Sequence, residues 1–506
     1  MTAESALRET SVRSSLSDRL NPIVVKELRQ AVQSRFVIAA LMTLLAIQLV
    51  AIGIYLLTSG DSLLNFDAGR GVFLMLFSIL QGVSMLFVPL YTAVRLAAER
   101  SDTNVDLLFI TTIKPRSIVA GKMTAAVVLT VLIFSACMPF MAFTYFLRGI
   151  DLPSIFISLA LGFIVVIACA QAAVFVACLP VNRAFKVIFG IIGLVLFGMV
   201  YFATMAGVSG LIVGGIGSRI GASDFWQGAV ILLVVIGSLT GLFFVLSVSL
   251  IMPLASNRAL PVRLYVTAAW LLIGAAALIY SEVEDNHVPV TVWQVMFNLA
   301  FAVALFVAVS ERDRLGRRVL RAVPQSPVKR AWSFFFFSGA ASGLAWAAAM
   351  IGLTLAMTWL WAELYPSRNG AGDLVGSAKW LGGMCLYFFC YALSGALLRR
   401  HLLNRVGAGL TWLIGAILLS LGSIVPVLFG YLIFFGDQWW SEDHGKWLVG
   451  NPFAWSNKSH RVFYASVAGV WAVMAAALSL RWFIARVKSF KPLNARTGSL
   501  AEDDDE

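Results

Sequence analysis

The chain has few charged residues, and its long apolar runs hold almost none of them. Only 13% of its 506 residues are Asp, Glu, Lys or Arg, whereas 60% are hydrophobic and the mean hydropathy is +0.86. These values exclude a soluble globular protein, because its core cannot hold this much apolar surface. They predict an all-α, polytopic integral membrane protein, since a bilayer-crossing helix needs about 20 mostly apolar residues.

The sequence also lacks the residue patterns that enzymes and ion-coupled carriers need. It has no nucleophile beside a base, no paired carboxylates and no Gly-rich phosphate-binding loop, so we expect neither an enzyme nor a cofactor in this chain. Its five cysteines fall in apolar runs without metal-ligand spacing, which predicts no metal site. Apart from residues at their ends, such as Glu363, the apolar runs hold no ionisable side chain, which argues against an ion-coupled carrier.

Twelve apolar runs are long enough to cross a bilayer. The predicted spans are about 36–57, 72–94, 124–147, 154–179, 187–206, 228–251, 264–280, 291–309, 333–361, 381–398, 410–435 and 462–483. Most of the 38 Lys and Arg residues fall in the two tails and in alternate loops, which the positive-inside rule assigns to the cytoplasm. Both termini are therefore predicted to be cytoplasmic in a multi-pass protein of the cell membrane, with the bacterial inner membrane as the simplest location. Membrane topology and lipid headgroups explain the net charge of +12 without nucleic acid.

A short amphipathic segment, residues 21–35, precedes the first predicted span. Residues 1–20 before it are rich in Ser and charge and predict a disordered cytoplasmic tail. Asn21 suits a helix N-cap and Pro22 suits the first helical position. The apolar stripe of this helix consists of Val24, Val25, Leu28, Ala31 and Val32, opposite Lys26, Arg29, Gln30 and Gln33. The pattern predicts a helix that lies along the inner membrane surface.

The loop between the second and third predicted spans, residues 95–122, is basic at both ends and apolar in its middle. Residues 104–113 read NVDLLFITTI and are too few to cross a bilayer. Val105, Leu108, Phe109 and Thr112 recur at helical spacing, which predicts a helix with one apolar face. An apolar helix exposed to the cytosol indicates a protein partner. The alternative is an interfacial helix that lies on membrane lipid without a partner.

Both segments resemble parts of ABC-2-type transporter permeases. The loop matches the family's consensus sequence at Glu99, Arg100, Val105, Asp106, Leu107, Leu108, Phe109, Thr111, Ile113, Ile118, Gly121 and Lys122. It departs from that consensus at Thr103, Thr112 and Ser117. The N-terminal wording N-P-x-x-x-K-E-L-R resembles the family's elbow helix and lies at Asn21, Pro22, Lys26, Glu27, Leu28 and Arg29. The resemblance implies that a separate ABC ATPase subunit binds ATP and docks on a coupling helix in this loop. The implied docking residues are Val105, Asp106, Leu107, Leu108, Phe109, Thr111 and Ile113.

A weaker sequence similarity to this loop, which we call the echo, occurs in the second half of the chain. Glu99, Arg100, Leu108 and Pro115 recur at one common offset as Glu311, Arg312, Leu320 and Pro327. This echo predicts two fused six-span halves, 36–255 and 256–486, followed by a cytoplasmic tail at 487–506, although coincidence is the alternative. A homodimer and a self-contained pseudo-dimer both stay open.

The resulting hypothesis is a permease subunit that exports a substrate the sequence does not identify. The alternative is a non-transporting membrane scaffold that recruits a cytoplasmic partner, and an ion-coupled secondary transporter ranks below both. Four polar residues within the spans either bond neighbouring helices or line a translocation path. They are Gln48, Gln81, Gln171 and Asn298.

Overall fold

Twelve helices in the described part of the chain are long and apolar enough to cross a membrane. The computed structural model describes residues 22–59, 68–101, 114–147, 149–180, 183–215, 219–253, 255–312, 315–366, 370–434, 445–456 and 460–492. None of these residues lies in a β-strand. The prediction of an all-α, multi-pass membrane protein is therefore confirmed.

The chain divides into two compact units, Met1–Met252 (unit 1) and Pro253–Glu506 (unit 2). The helices of unit 1 are α1 (Pro22–Val32), α2 (Arg35–Ser59), α3 (Ala68–Ser101), α4 (Pro115–Phe146), α5 (Leu152–Cys178), α6 (Arg183–Val213) and α7 (Ser223–Ile251). Those of unit 2 are α8 (Ala259–Val283), α9 (Val288–Ala308), α10 (Arg317–Arg321), α11 (Pro327–Phe334), α12 (Ala340–Leu364), α13 (Ala371–His401), α14 (Thr411–Phe434) and α15 (Arg461–Ser489). The short helices α1, α10 and α11 are the α-helices among these that do not span.

Local sequence signals explain where several helices begin. Pro115 is the first residue of α4, a position where proline removes no intrahelical hydrogen bond. Asp151 caps α5, because its carboxylate accepts a hydrogen bond from the backbone N–H of Ser154 at 3.3 Å. Proline in the first turn also starts α9 and α11. These four helix starts thus follow ordinary capping rules.

The two units pack their spans in the same order. In unit 1, α3 contacts α2, α4, α5 and α6, and α5 contacts α4, α6 and α7. In unit 2, α9 contacts α8, α12, α13 and α14, and α13 contacts α12, α14 and α15. Numbered within its own unit, the second span and the fourth span are therefore the central helices of each bundle. Contacts between the third and sixth spans also occur in both units.

Each central span carries the side chains that form the core of its unit. In unit 1, Phe73, Phe77 and Leu80 of α3 are fully buried against α5 residues such as Val166 and Ala170. In unit 2, α9 supplies Trp293, Phe297 and Phe301, and Trp270 of α8 and Trp346 of α12 pack against them. The ring centroids of Trp270 and Trp293 lie 5.5 Å apart, as do those of Phe301 and Trp346. Aromatic packing of this kind makes unit 2 the more aromatic of the two cores.

The predicted ninth span begins later than the sequence indicated. We predicted a start at residue 333, but α11 ends at Phe334 and the spanning helix α12 begins at Ala340. Gly339 separates them with a φ of +151°, a conformation that side chains other than glycine rarely adopt. The gap between the fifth and sixth predicted spans, residues 207–227, is shorter in the structure, because α6 extends to Val213 and α7 begins at Ser223.

Glycine allows a close backbone contact between two helices of unit 2, and this contact gives a prediction. A Cβ atom added at Gly395 of α13 would lie 2.9 Å from the backbone of Gly415 in α14. Backbone atoms cannot move aside as a side chain can, so Gly395→Ala should destabilise the protein by about 1–3 kcal/mol. In α6, the equivalent atom at Gly193 would meet nothing within 4 Å, so Gly193→Ala should cost no measurable stability. Unfolding of both variants in detergent tests this, and equal losses would contradict it.

Candidate functional site

The seven residues predicted to dock an ATPase fall between α3 and α4. Val105, Asp106, Leu107, Leu108, Phe109, Thr111 and Ile113 all lie outside the described residues, as does Asn21 of the predicted elbow helix. The structure does describe the helix ends on either side of this loop. We call α1, the end of α3 from Tyr91 and the start of α4 as far as Lys122 the cytoplasmic frame. The candidate site is this frame and the loop attached to it.

A buried ion pair connects α1 to α4 within the cytoplasmic frame. Lys122 Nζ lies 2.6 Å from Glu27 Oε1, and the two side chains are only 2% and 4% exposed. A charge buried this deeply is costly unless it is paired, so each residue requires the other. Glu27 belongs to the elbow wording and Lys122 to the loop wording, and 95 positions separate them in the chain. The fold therefore brings together the two segments that carry the family resemblance.

The buried face of α1 differs from the predicted apolar stripe. Val24, Glu27 and Ala31 are buried at spacings of three and four residues, and α1 packs along α4. Val25, which we placed in the stripe, is 38% exposed. The stripe was wrong at these two positions because Lys122 supplies a counter-charge that lets a carboxylate face the helix bundle.

The exposure of the remaining elbow residues is that expected for an amphipathic helix. Lys26 and Arg29 are exposed, Leu28 is half-buried, and Pro22 is the first residue of α1. Positive charge on the outer face, with Glu27 turned toward α4, suits a helix at the cytoplasmic headgroup layer. Sequence reasoning thus located the helix and its basic face, but it did not identify the residue that anchors it.

A second polar contact joins α1 to the end of α3. Arg95 Nη1 donates a hydrogen bond to Gln30 Oε1 at 2.6 Å, and its guanidinium carbon lies 5.1 Å from the centroid of the Tyr91 ring. This hydrogen bond is exposed, so it contributes less than the buried pair. Its position matters because Arg95 precedes the loop on α3 and Lys122 follows it on α4. The helices on both sides of the loop are therefore attached to α1.

Close apolar packing links the cytoplasmic frame to the fourth and sixth spans. Leu96 of α3 and Val119 of α4 are 3% and 1% exposed and form one cluster with Val174, Ala177 and Cys178 of α5. Phe244 and Val248 of α7 pack against the same cluster. Protein interiors are close-packed, so a displacement of α3 and α4 here must also displace α5 or α7. The frame is thus positioned to pass motion from the loop into the membrane helices.

The amide side chains inside the spans of unit 1 bond neighbouring helices. Gln48 Nε2 donates to the carbonyl of Leu76 at 3.5 Å, Gln81 Nε2 to the carbonyl of Gly162 at 3.4 Å, and Gln171 Nε2 to Ser247 Oγ at 3.2 Å. In unit 2, Asn298 instead bonds the carbonyl of Gln294 in its own helix at 2.9 Å. Among the described residues, the side-chain oxygens of Gln48, Gln81 and Gln171 have no donor. These amides are buried, so their described role is to bond neighbouring helices.

Unit 2 contains a second ion pair, which sequence reasoning missed; Arg263 is buried in it and Glu311 is 23% exposed. Arg263 Nη2 lies 2.6 Å from both carboxylate oxygens of Glu311. Arg263 Nη1 donates to the carbonyls of Phe335 and Phe337 at 2.9 and 2.8 Å, and Glu311 also accepts the backbone N–H of Gly339 at 2.7 Å. This network holds the chain in the non-helical turn between α11 and α12. It also explains why the ninth span begins only at Ala340.

These ion pairs lie near the ends of two spanning helices. Lys122 and Arg263 are buried near the N-terminal ends of α4 and α8, just before the predicted spans begin at residues 124 and 264. Their positions are compatible with the expectation that ionisable residues stand only at the ends of the spans. Each cation pairs with a carboxylate, as buried charges in membrane proteins generally do. His287, which lies between the seventh and eighth predicted spans, is also buried, and its Nε2 lies 3.1 Å from the carbonyl of Tyr365.

Comparisons with known proteins do not assign this arrangement to a family. No family model matches the chain, and neither a curated protein nor a solved structure is similar to it. Within the described residues, no group of His, Cys, Asp and Glu has the composition that a metal ion needs. The function is therefore inferred from the chain's own residues and packing.

Proposed function

We propose that this chain is the membrane-spanning permease subunit of an ABC-2-type exporter, driven by a separate cytoplasmic ATPase subunit that docks on residues 95–122. The twelve apolar helices fit a membrane protein of the transport type. The observation that carries the finer proposal is the 2.6 Å ion pair between Glu27 and Lys122. This ion pair joins the two segments whose sequences resemble this family, and so supports a common role for the elbow helix and the loop.

The cytoplasmic frame suits the transmission of force from a docked partner. The predicted docking residues lie on a loop between α3 and α4, and Arg95 of α3 and Lys122 of α4 both contact α1. A partner that moves this loop would move α1, α3 and α4 together. The cluster around Leu96 and Val119 would then pass the displacement to α5 and α7. The partner subunit binds and hydrolyses ATP, and this chain transmits the resulting motion to its membrane helices.

The common packing order of the two units supports a chain built from two fused permease halves. Each half has the same pair of central spans, α3 with α5 and α9 with α13. Each half contains six candidate spans. One chain would then supply the two membrane halves of a pseudo-dimer.

The docking proposal predicts a specific loss of ATPase binding. Leu108→Asp places a charge on the apolar face of the predicted coupling helix, so it should reduce recovery of the ATPase by more than tenfold, because an unpaired charge in an apolar groove is strongly unfavourable. The measurement is an affinity pull-down of the full chain in mild detergent, followed by identification of bound proteins and an ATPase assay. A wild-type sample should recover an ATPase with a phosphate-binding loop.

Thr103→Asp is the matched control, because it adds the same charge to the same loop outside the predicted docking residues. It should leave both recovery and ATPase stimulation unchanged. Normal stimulation in Leu108→Asp would refute the docking proposal. Recovery of a cytoplasmic partner without ATPase activity would instead favour a scaffold that uses this loop for recruitment.

A further inference from the structure

A shallow open cleft lies in unit 2, where α12 begins and α15 ends. The charge distribution assigns this edge of the unit to the cytoplasmic side. Phe334, Phe337 and Phe490 form the apolar walls of the cleft, and Ser342 and Arg486 also line it. Aromatic walls beside a guanidinium group suit a ligand that has one apolar part and one anionic part.

Aromatic packing holds the walls of this cleft in place. The ring centroid of Phe490 lies 5.4 Å from that of Phe334 and 5.2 Å from that of Phe337, both near edge-to-face. Val319 and Leu320 of α10 are buried in the same cluster. On the inner side, Ser342 Oγ accepts a hydrogen bond from Arg263 at 3.0 Å. The cleft is therefore preformed, since its walls pack against each other and against the Arg263 network.

The two stretches of chain that form the cleft carry positive charge alone. Residues 315–338 and 481–492 contain no Asp or Glu. Their basic residues are Arg317, Arg318, Arg321, Lys329, Arg330, Arg481, Arg486, Lys488 and Lys491. Glu311 contacts the backbone N–H of Gly339 in the lining of the cleft, and its charge is neutralised by Arg263. The field around the cleft is thus complementary to an anion.

Helix α11 indicates the depth at which this surface lies. Val328 and Trp332, one turn apart, are 69% and 71% exposed, and no described residue covers them. Lys329, between them in sequence, is exposed as well, and Arg330 follows it. Exposed Val and Trp beside Lys and Arg on a short helix are typical of the boundary between acyl chains and headgroups.

We infer that this cleft binds the headgroup of an anionic phospholipid from the cytoplasmic leaflet. The phosphate lies against Arg486, and the exposed Lys488 and Lys491 stand at the rim. The glycerol and the first acyl carbons pack against Phe334, Phe337 and Phe490, while α11 rests in the neighbouring headgroup layer. The ligand is a lipid rather than a cytosolic anion because the walls are apolar and the adjoining helix exposes Val328 and Trp332.

Native mass spectrometry of the full chain tests this inference, with phosphatidylglycerol and phosphatidylcholine added in equal amounts. The wild-type chain should retain phosphatidylglycerol in preference to phosphatidylcholine. Arg486→Gln should reduce that preference about fivefold, because one basic residue near an anionic surface contributes that much to binding. Arg481→Gln is the matched control, since Arg481 is exposed on the same helix and does not line the cleft. It should change the preference less than twofold.

Three outcomes would overturn the inference. They are an equal preference in Arg486→Gln and the wild type, no preference in the wild type, and full displacement of the lipid by soluble glycerol phosphate at the same concentration. If Arg486→Gln does not give a monodisperse protein, Ser489→Asp decides, because Ser489 lines the cleft, is exposed and would place a negative charge beside the phosphate. A reduced preference in that variant supports the lipid site, and an unchanged preference refutes it. None of these results depends on whether an ATPase docks on unit 1.

Discussion

Lys122→Met should destabilise the protein by about 3–5 kcal/mol, because it leaves the Glu27 carboxylate buried without its counter-charge. A double variant, Glu27→Gln with Lys122→Met, should recover most of that loss, since replacing both partners removes the uncompensated charge. Denaturant unfolding in detergent measures both. The comparison isolates the ion pair from the general effect of altering α4.

Lys114→Met is the control for this experiment. Lys114 precedes α4 in the same loop but is exposed and is not buried against α1. Its replacement should change the free energy of unfolding by less than about 1 kcal/mol. If Lys122→Met and Lys114→Met unfold alike, the pair contributes no net stability and α1 must be held by apolar packing alone.

The number of spans follows from the sequence because the bilayer imposes a length and a polarity that few other environments impose. Helix ends are a different matter, since they depend on contacts that hydropathy does not reveal. The run around Phe334 to Phe337 is continuously apolar, yet the chain there leaves the helix so that two carbonyls can accept from Arg263. No hydropathy window detects such a break. The contact arises only once α8 and α12 are neighbours.

The pairing of Glu27 with Lys122 was equally invisible to pattern reasoning. Glu27 belongs to the elbow motif and Lys122 to the loop motif, and neither motif indicates that the two side chains pair. A helix periodicity can say which face is apolar, but it cannot say which distant cation will neutralise a carboxylate. Only the packing of α1 along α4 supplies that information.

The two units share their packing order, but the loop before the third span packs differently in each unit. In unit 1, α1 holds the helices on both sides of a loop whose apolar residues we expect to meet a partner. In unit 2, the echo of that loop is packed inward: Leu320, which corresponds to Leu108, is 3% exposed and lies against Phe337 and Phe490. Its apolar face is already buried. We therefore expect an ATPase to dock on unit 1 through this kind of loop, and not on unit 2.

Arg263→Met should destabilise unit 2 by about 3–5 kcal/mol. The substitution removes the counter-charge of the Glu311 carboxylate and the hydrogen-bond donor to the carbonyls of Phe335 and Phe337. Arg263→Lys should lose less, because an ammonium group keeps the charge but cannot make the fork of hydrogen bonds to Glu311 and to both carbonyls. Arg317→Met, at an exposed position on α10, is the control and should cost under about 1 kcal/mol. The three variants can be ranked by thermal unfolding in detergent.

The ranking of those variants distinguishes charge from geometry in this turn. If Arg263→Lys is as stable as the wild type, charge compensation of Glu311 is sufficient and the carbonyl contacts are incidental. If it is as unstable as Arg263→Met, the planar donor set is what keeps residues 335–339 out of the helix. The second result also implies that α11 and α12 would tend to merge into one helix in the variant, as the uninterrupted apolar sequence favours. A merged helix would displace Phe337 from the wall of the cleft, so the lipid preference of unit 2 should fall together with its stability.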